Sequence, residues 1–334
     1  MTALLEFRAV EKTYPSGHGP LRVVRDVSFS LQPGEILTVV GERGCGKTTT
    51  GKLACGLVHP TLGQVLFKGS DTGRLGRRDR SGFRRAVQLI HQDPYASLNP
   101  VRTVFQTLSA PLRRLRVVRG SAETQEKVCG LLRAVDLTPP ADFLAKFPHQ
   151  LSGEQRQRVA VARALAVNPE FIVADESVSM LDVSIRASLL NTLLRLNRER
   201  GVAYLFITHD LAVARYFGWQ GKMAVMYLGR VVEYGPTPEV TGHPTHPYTQ
   251  ALIASLPVTD PHLARAQAGE RVEAPDVPSL HQLPPGCAYH PRCPLRQPGS
   301  CDRRVPELAP VTPGSAHAVA CPVASGRTAE AQAG

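Results

Sequence analysis

Leu4 to Val10 and Val23 to Leu31 are short runs rich in aliphatic residues, and Pro33-Gly34 breaks the chain before a third, Ile36-Leu37-Thr38-Val39-Val40. Runs this short and this continuously apolar predict the buried strands of a sheet. A glycine-rich turn follows the third, and Thr48 to Leu57 then reads as a helix closed by Pro60. From about Val101 to Ala166 the period changes: Val128, Leu131, Leu132 and Val135 recur at helix spacing, and Pro139-Pro140 stops the run. This predicts an inserted helical subdomain at about 101–166. Strand-like runs return at Phe171 to Ala174 and Tyr204 to Ile207, separated by a helical stretch from Val183 to Arg200. That alternation predicts an α/β fold with a parallel, largely covered sheet. Beyond Pro257 prolines and cysteines crowd together and the periodicity fades. Residues 257–323 are therefore expected to form a small irregular appendix to a domain at 1–256, with 324–334 a disordered tail. No internal repeat is visible.

A chain of 334 residues, 43% hydrophobic, can bury a large core. No stretch approaches the roughly 18 apolar residues of a spanning helix. The start, MTALLEFRAVEKTY, has neither a basic leader nor an apolar signal core. The expectation is a cytoplasmic protein that meets a membrane through partner subunits. The net charge of +11 raises a nucleic-acid reading. The arginines, however, gather at Arg74 to Arg85 and Arg113 to Arg119 without interleaved aromatics, which predicts solvated faces and no nucleic-acid partner. An anionic membrane surface is the next candidate. Seven cysteines in a cytoplasmic setting argue against a disulfide framework.

Gly41-Glu42-Arg43-Gly44-Cys45-Gly46-Lys47-Thr48, followed by Thr49, fits the eight-position phosphate-loop pattern at each required place and stands between a strand and a helix. The glycines let consecutive backbone N–H groups face a β-phosphate, Lys47 can reach the β and γ oxygens, and Thr48 can hold Mg²⁺. Downstream, an apolar strand ends in Asp175-Glu176. One carboxylate is needed for the magnesium ion and the other to orient or deprotonate water, because phosphoryl transfer depends on positioning and charge neutralisation.

Between these lies Leu151-Ser152-Gly153-Glu154-Gln155-Arg156-Gln157-Arg158. Physically it is a helix start, with Ser152 as cap and Gln155 three residues on, and so a candidate anion site. It resembles the signature sequence of ATP-binding cassette (ABC) proteins, in which this cap closes on ATP held by a facing subunit. The resemblance implies a P-loop NTPase core whose Tyr14 stacks on adenine and whose Gln92 senses Mg²⁺ and couples to membrane subunits. It further implies that Asp182, in Ser179-Met180-Leu181-Asp182, lies in the loop crossing the dimer interface, and that His209 is the switch histidine at the γ-phosphate. ATP-binding residues are thus expected at Tyr14, Gly41, Arg43, Gly44, Cys45, Gly46, Lys47, Thr48, Thr49, Gln92, Ser152, Gly153, Glu154, Gln155, Asp175 and Asp182. Thr48, Gln92 and Asp175 are expected at magnesium, and Glu176 and His209 as catalytic.

The stretches Gln92 to Pro100, His246 to Leu252 and Pro285 to Pro294 resemble the oligopeptide and dipeptide importer branch, whose relatives also move nickel or opines. That branch implies a second, unlike ATPase subunit, two transmembrane permeases and an extracytoplasmic peptide-binding protein. It places the chain at the cytoplasmic face of the cell membrane. The rival reading is a soluble ABC protein acting on nucleic acid or ribosomes. Three positions depart from the family pattern: Arg43 replaces a serine, Glu154 a glycine and Ser177 a proline. Glu154 is expected near a phosphate, where its charge would weaken closure. Cys287, Cys293, Cys301 and Cys321 are separated by five, seven and nineteen residues, so zinc-knuckle spacing is absent and the spacing does not decide a metal. They are expected to bind one metal centre that staples the appendix. The resemblance implies a [4Fe–4S] cluster, with Zn²⁺ or four unligated buried thiols as alternatives.

Overall fold

The structure is a computed structural model and describes residues 2–17, 19–93, 97–179, 181–256 and 278–324. The expected disordered tail lies outside these from residue 325, as do residues 257–277 at the start of the appendix and Met180 of the interface loop. Pro94, Tyr95 and Ala96 of the importer-like stretch also fall outside them.

Strands β1 (Leu5–Tyr14) and β2 (Leu21–Leu31) pair antiparallel, and β3 (Ile36–Val40) opens a second sheet. β4 (Leu62–Phe67) and β5 (Ser70–Asp71) complete the first sheet in the order β2-β1-β4-β5. The second collects β6 (Val87–Ile90), β7 (Phe171–Asp175), β8 (Ala203–Ile207), β9 (Lys222–Tyr227), β10 (Arg230–Pro236), β11 (Ala309–Pro310) and β12 (Ala318–Val319). Its order is β11-β12-β10-β9-β3-β8-β7-β6, with β6, β7, β8, β3 and β9 parallel. The N-terminal apolar runs therefore do not join the parallel sheet. They form a separate antiparallel layer, as runs joined by a short connection can.

Strict alternation along β8 fixes the layering. Tyr204 and Phe206 pack with Leu108, Leu132 and Val161 of the helical region, whereas Ala203, Leu205 and Ile207 pack with Phe7, Val27 and Val65 of the antiparallel layer. Ile172 and Ala174 on β7 face the first set, Phe171 and Val173 the second. Both faces of the parallel sheet are covered, which is why its strands read as unbroken apolar runs. Each large side chain so buried contributes about 1.5–3 kcal/mol.

The helical region contains helices Val104–Arg114, Ser121–Ala134, Ala141–Leu144 and Gly153–Leu165. Besides that apolar packing, a polar network ties it to the rest. Arg158, whose side chain is 5% exposed, donates to the Val135 carbonyl and to Asp136, Ser188 and Thr192, and Arg195 donates to the other Asp136 oxygen. Burial alone would raise the Asp136 carboxyl, but these hydrogen bonds hold it below the usual carboxylate range. The helix Val183–Arg200 is as expected. The helix expected from Thr48 to Leu57 spans Lys47–Ala54, because Gly56 turns left-handed (φ +62°) after the Cys55 cap. Part of the basic stretch from Arg74 is helical, Arg77–Ala86, anchored by the buried Phe83.

The described part of the appendix is largely irregular, as its composition suggests, but it shares in the core. β12 pairs with β10, and Tyr289 and Val319 are buried, Tyr289 against Tyr227 and Tyr248. Glu233, fully buried on β10, accepts from the backbone N–H groups of Thr245 and His246 and pairs with His317 of the appendix at 2.7 Å. A few aromatic residues and one saturated carboxylate supply what helix or strand periodicity would otherwise signal.

Candidate functional site

The phosphate loop connects β3 to the helix Lys47–Ala54. Gly41 and Gly46 hold φ of +152° and +106°, and a Cβ on them would lie 2.1 Å from the Met226 carbonyl and 2.6 Å from the Val23 carbonyl. Only glycine fits both the angle and the space. A Cβ on Gly44 would meet nothing within 4 Å, and Arg43 and Thr48 are exposed, so this side of the loop is open. Lys47 Nζ is folded over the loop, donating to the Gly41 and Glu42 carbonyls at 2.7 and 2.9 Å. Cys45 is buried against the strands with its thiol pushed up by burial, which makes it a packing residue rather than a nucleophile. Tyr14 ends β1 opposite Leu21 of β2, two residues from Val23 at the loop, with the Lys12 ammonium 5.1 Å from its ring centre.

β7 ends beside this loop. Thr48 Oγ1 donates to Asp175 Oδ1 at 3.3 Å, and burial raises the Asp175 carboxyl, with Thr48 and Lys47 opposing and Glu176 adding to the rise. A hydroxyl and a carboxylate converging here are the donor set of a hard divalent cation, whose charge would oppose that rise. Glu176 takes a left-handed backbone (φ +46°), fixed by its N–H donating to the Ile207 carbonyl. Its two oxygens face separate partners: the Gln92 amide donates to Oε2 at 2.9 Å and His209 Nδ1 lies 3.1 Å from Oε1. The structure thus brings Lys47, Thr48, Asp175, Glu176, Gln92 and His209 to one end of the parallel sheet. Such a set can bind phosphates, neutralise their charge and hold a water for in-line attack.

The other expected elements stand apart from it along the chain. Ser152 caps Gly153–Leu165 reciprocally with Gln155, and a Cβ on Gly153 would meet nothing within 4 Å, so the cap faces open space. Asp182 precedes the helix Val183–Arg200 without capping it through its side chain. Ser177 buries a hydroxyl that finds no hydrogen-bond partner among the described residues.

Glu154, in the first turn of the helix Gly153–Leu165, is paired within its own chain. It reaches along its own helix to Arg158, whose Nε donates at 2.8 Å. The spacing i, i+4 places the two on one face. Glu154→Gly is therefore expected to cost about 1 kcal/mol of stability, read as a lowered melting temperature, through loss of a charged hydrogen bond and entry of glycine. ATP-dependent dimerisation should stay within about twofold of wild type, a shift of about 0.4 kcal/mol. A large gain in dimer affinity would mean that the carboxylate does face the nucleotide.

Cys287, Cys293, Cys301 and Cys321 line one cavity of about 360 Å³ together with His246 and His290, and none is in a disulfide. Burial and the neighbouring thiols raise Cys287 to about 11 and also raise Cys293 and Cys321. His246 is buried, accepts from the Tyr248 N–H at Nδ1 and, among the described residues, finds no hydrogen-bond partner for Nε2. Among the described residues no set of three His, Cys, Asp or Glu side chains is gathered closely enough to hold a metal ion.

Two neighbours of the phosphate loop were not legible as such in the sequence. Tyr248 Oη accepts from the Glu42 N–H at 2.9 Å, and Arg292 reaches the Glu42 carboxylate. Both lie in importer-like stretches, but nothing in their spacing points to residue 42.

Comparison with known proteins matches residues 24–179 to the ABC transporter family and residues 232–301 to the oligopeptide/dipeptide transporter C-terminal region. The probable peptide ABC transporter ATP-binding protein y4tS of Sinorhizobium fredii is 45% identical over 96% of this chain and 90% of its own length. The oligopeptide transport ATP-binding protein AppF of Bacillus subtilis is 42% identical over 95% of this chain and 96% of its own. Among solved structures, the dimeric ATP-binding cassette MJ0796 in a post-hydrolysis state bound to ADP and Pi aligns with a TM-score of 0.62 at 30% identity, over 70% of this chain and 98% of that one. The fold is likewise that of cbiO1 from Clostridium perfringens, with a TM-score of 0.65 at 22% identity over 80% and 100% of the two chains. With relatives this similar over nearly its whole length, the chain belongs to the ABC transporter family, as one of its ATP-binding proteins.

Proposed function

We propose that this chain is one of two facing cassettes that bind and hydrolyse ATP to drive peptide import through partner permeases. The observation that carries it is a phosphate-loop site fused to the oligopeptide/dipeptide transporter C-terminal region, in a chain 42–45% identical to peptide-transport ATP-binding proteins over nearly all its length. In this reading the loop amides and Lys47 hold the triphosphate, and Tyr14 meets the adenine. Thr48, Gln92 and Asp175 would hold magnesium, which supplies neutralisation of phosphate charge. Glu176, held by Gln92 and His209, orients the attacking water. Ser152, Gly153, Glu154 and Gln155 present an open helix start to the nucleotide of the facing cassette, and Asp182 lies in the loop that crosses the interface. Closure on ATP and release after hydrolysis then switch the permeases between two states.

The facing cassette is an unlike ATPase subunit, and two permeases and an extracytoplasmic binding protein complete the importer. Among the described residues no helix is long and apolar enough to cross a membrane, so attachment at the cytoplasmic face runs through the permeases. The test is ATPase activity of the assembled complex in vesicles. Stimulation by binding protein loaded with peptide, with no stimulation by nickel or opines, supports the reading. Activity that responds only to RNA or ribosomes would replace it.

The four late cysteines, which line one cavity, would hold a [4Fe–4S] cluster; the cluster would supply cross-links between distant parts of the appendix. Anaerobically purified chain is expected to contain iron and inorganic sulfide with visible absorption. Cys293→Ser should remove that absorption and loosen the appendix to proteolysis. Stoichiometric zinc would keep the staple and change the metal, and a metal-free protein with a protease-resistant appendix would end the idea.

A further inference from the structure

Glu42, the second residue of the phosphate loop, carries a carboxylate that would stand beside the nucleotide phosphates. In this structure that carboxylate is paired from the far end of the chain. Arg292 Nη1 donates to both Glu42 oxygens at 3.1 Å, and the same nitrogen lies 3.4 Å from Tyr227 Oη. The pair is largely shielded, with side chains 14% and 27% exposed. Glu42 is gripped through its backbone as well: its N–H donates to Tyr248 Oη, and its carbonyl accepts from Lys47 Nζ. Arg292 cannot wander, because it closes the short helix His290–Arg292, packs 5.8 Å from the Tyr289 ring centre and immediately precedes Cys293. Tyr289 in turn meets Tyr227 and Tyr248 edge-on or tilted, at 5.3 and 5.4 Å.

We propose that Arg292 is a positioning residue of the ATP site: by pairing with Glu42, the C-terminal appendix sets the charge and placement of the phosphate loop. A carboxylate left unpaired at this point repels a triphosphate, whereas the paired one is neutralised and held away from it. The rigid aromatic cluster makes the contact a fixed strut, so the order of the appendix is coupled to nucleotide affinity. Nothing in phosphate-loop chemistry alone requires a contribution from residue 292.

The proposal rests on ATP binding at this loop, and full-length chain is tested for it first. Arg292→Ala is expected to raise the KM for ATP of the assembled complex roughly tenfold with kcat largely kept, and to weaken ATP binding to the full chain equally; tenfold corresponds to about 1.4 kcal/mol. The decisive comparison is a double-mutant cycle with Glu42→Gln. If Arg292 acts through the Glu42 charge, Arg292→Ala has little further effect in the Glu42→Gln background, and Arg292→Lys restores most of the affinity in the wild-type background. If the loss is the same in both backgrounds, Arg292 is merely structural and the proposal falls; it falls too if Arg292→Ala leaves the KM unchanged. Should Arg292→Ala fail to fold, Arg292→Gln, which keeps the aliphatic packing on Tyr289, closes the same cycle. Failure of wild-type chain to bind ATP would instead overturn the functional reading itself.

Discussion

Glu176→Gln is expected to leave ATP binding intact and to lower turnover of the assembled transporter by roughly two to four orders of magnitude, the range for a lost general base. The substitution is nearly isosteric, so the left-handed turn after β7 and the hydrogen bond from the Glu176 N–H to the Ile207 carbonyl survive. What disappears is the negative oxygen pair that Gln92 and His209 hold from two sides at 2.9 and 3.1 Å. Binding persists because Lys47, Thr48 and the loop amides belong to a different segment. Single-turnover hydrolysis measures the chemical step apart from product release. An unchanged rate in that experiment would move the water-positioning role to another residue.

Gly41→Ala is expected to damage both the fold and the site. The new Cβ would fall 2.1 Å from the Met226 carbonyl oxygen and 2.9 Å from Cys45 Sγ. Relief is blocked, since Val40 on β3 pairs in parallel with Val225 on β9 and neither backbone can withdraw without breaking the ladder. Strain at φ +152° adds to the overlap. Left-handed backbone strain of about 1–2 kcal/mol and overpacking of about 1–3 kcal/mol together predict a loss of about 2–5 kcal/mol. ATP affinity should fall with it, because the displaced loop loses the carbonyls that hold Lys47. Chemical denaturation and nucleotide binding on the same sample check both effects. A variant with wild-type stability would show that β9 gives way more easily than its pairing implies.

Chain order carried much of this. The phosphate loop, the acidic strand end, the capped helix at Ser152 and the strands β3, β7 and β8 are contiguous features, each specified within a few residues by apolar runs, glycines or a cap. Each is marked by residues a few positions apart, although the strands' hydrogen bonds close only between neighbours in the sheet. Arg77–Ala86 was less legible, since a single buried apolar residue, Phe83, gives too little periodicity to mark a helix.

Other features depended on segments meeting from far apart. The separation of the N-terminal strands into their own antiparallel layer follows from their pairing with each other and from that of β1 with β4, not from their apolar content, which resembles that of β3. Glu154 reads as a charge at a helix start, and the structure adds that it is paired with the buried Arg158. Glu176 is oriented by Gln92, 84 residues before it, and Glu42 is paired by Arg292, 250 residues after it. The sequence by itself determined which groups bear the chemistry, because their backbone settings are local. Only the tertiary structure decided which charges are paired and which carboxylate is aimed, because partners brought together by sheet order and burial leave no periodic trace along the chain.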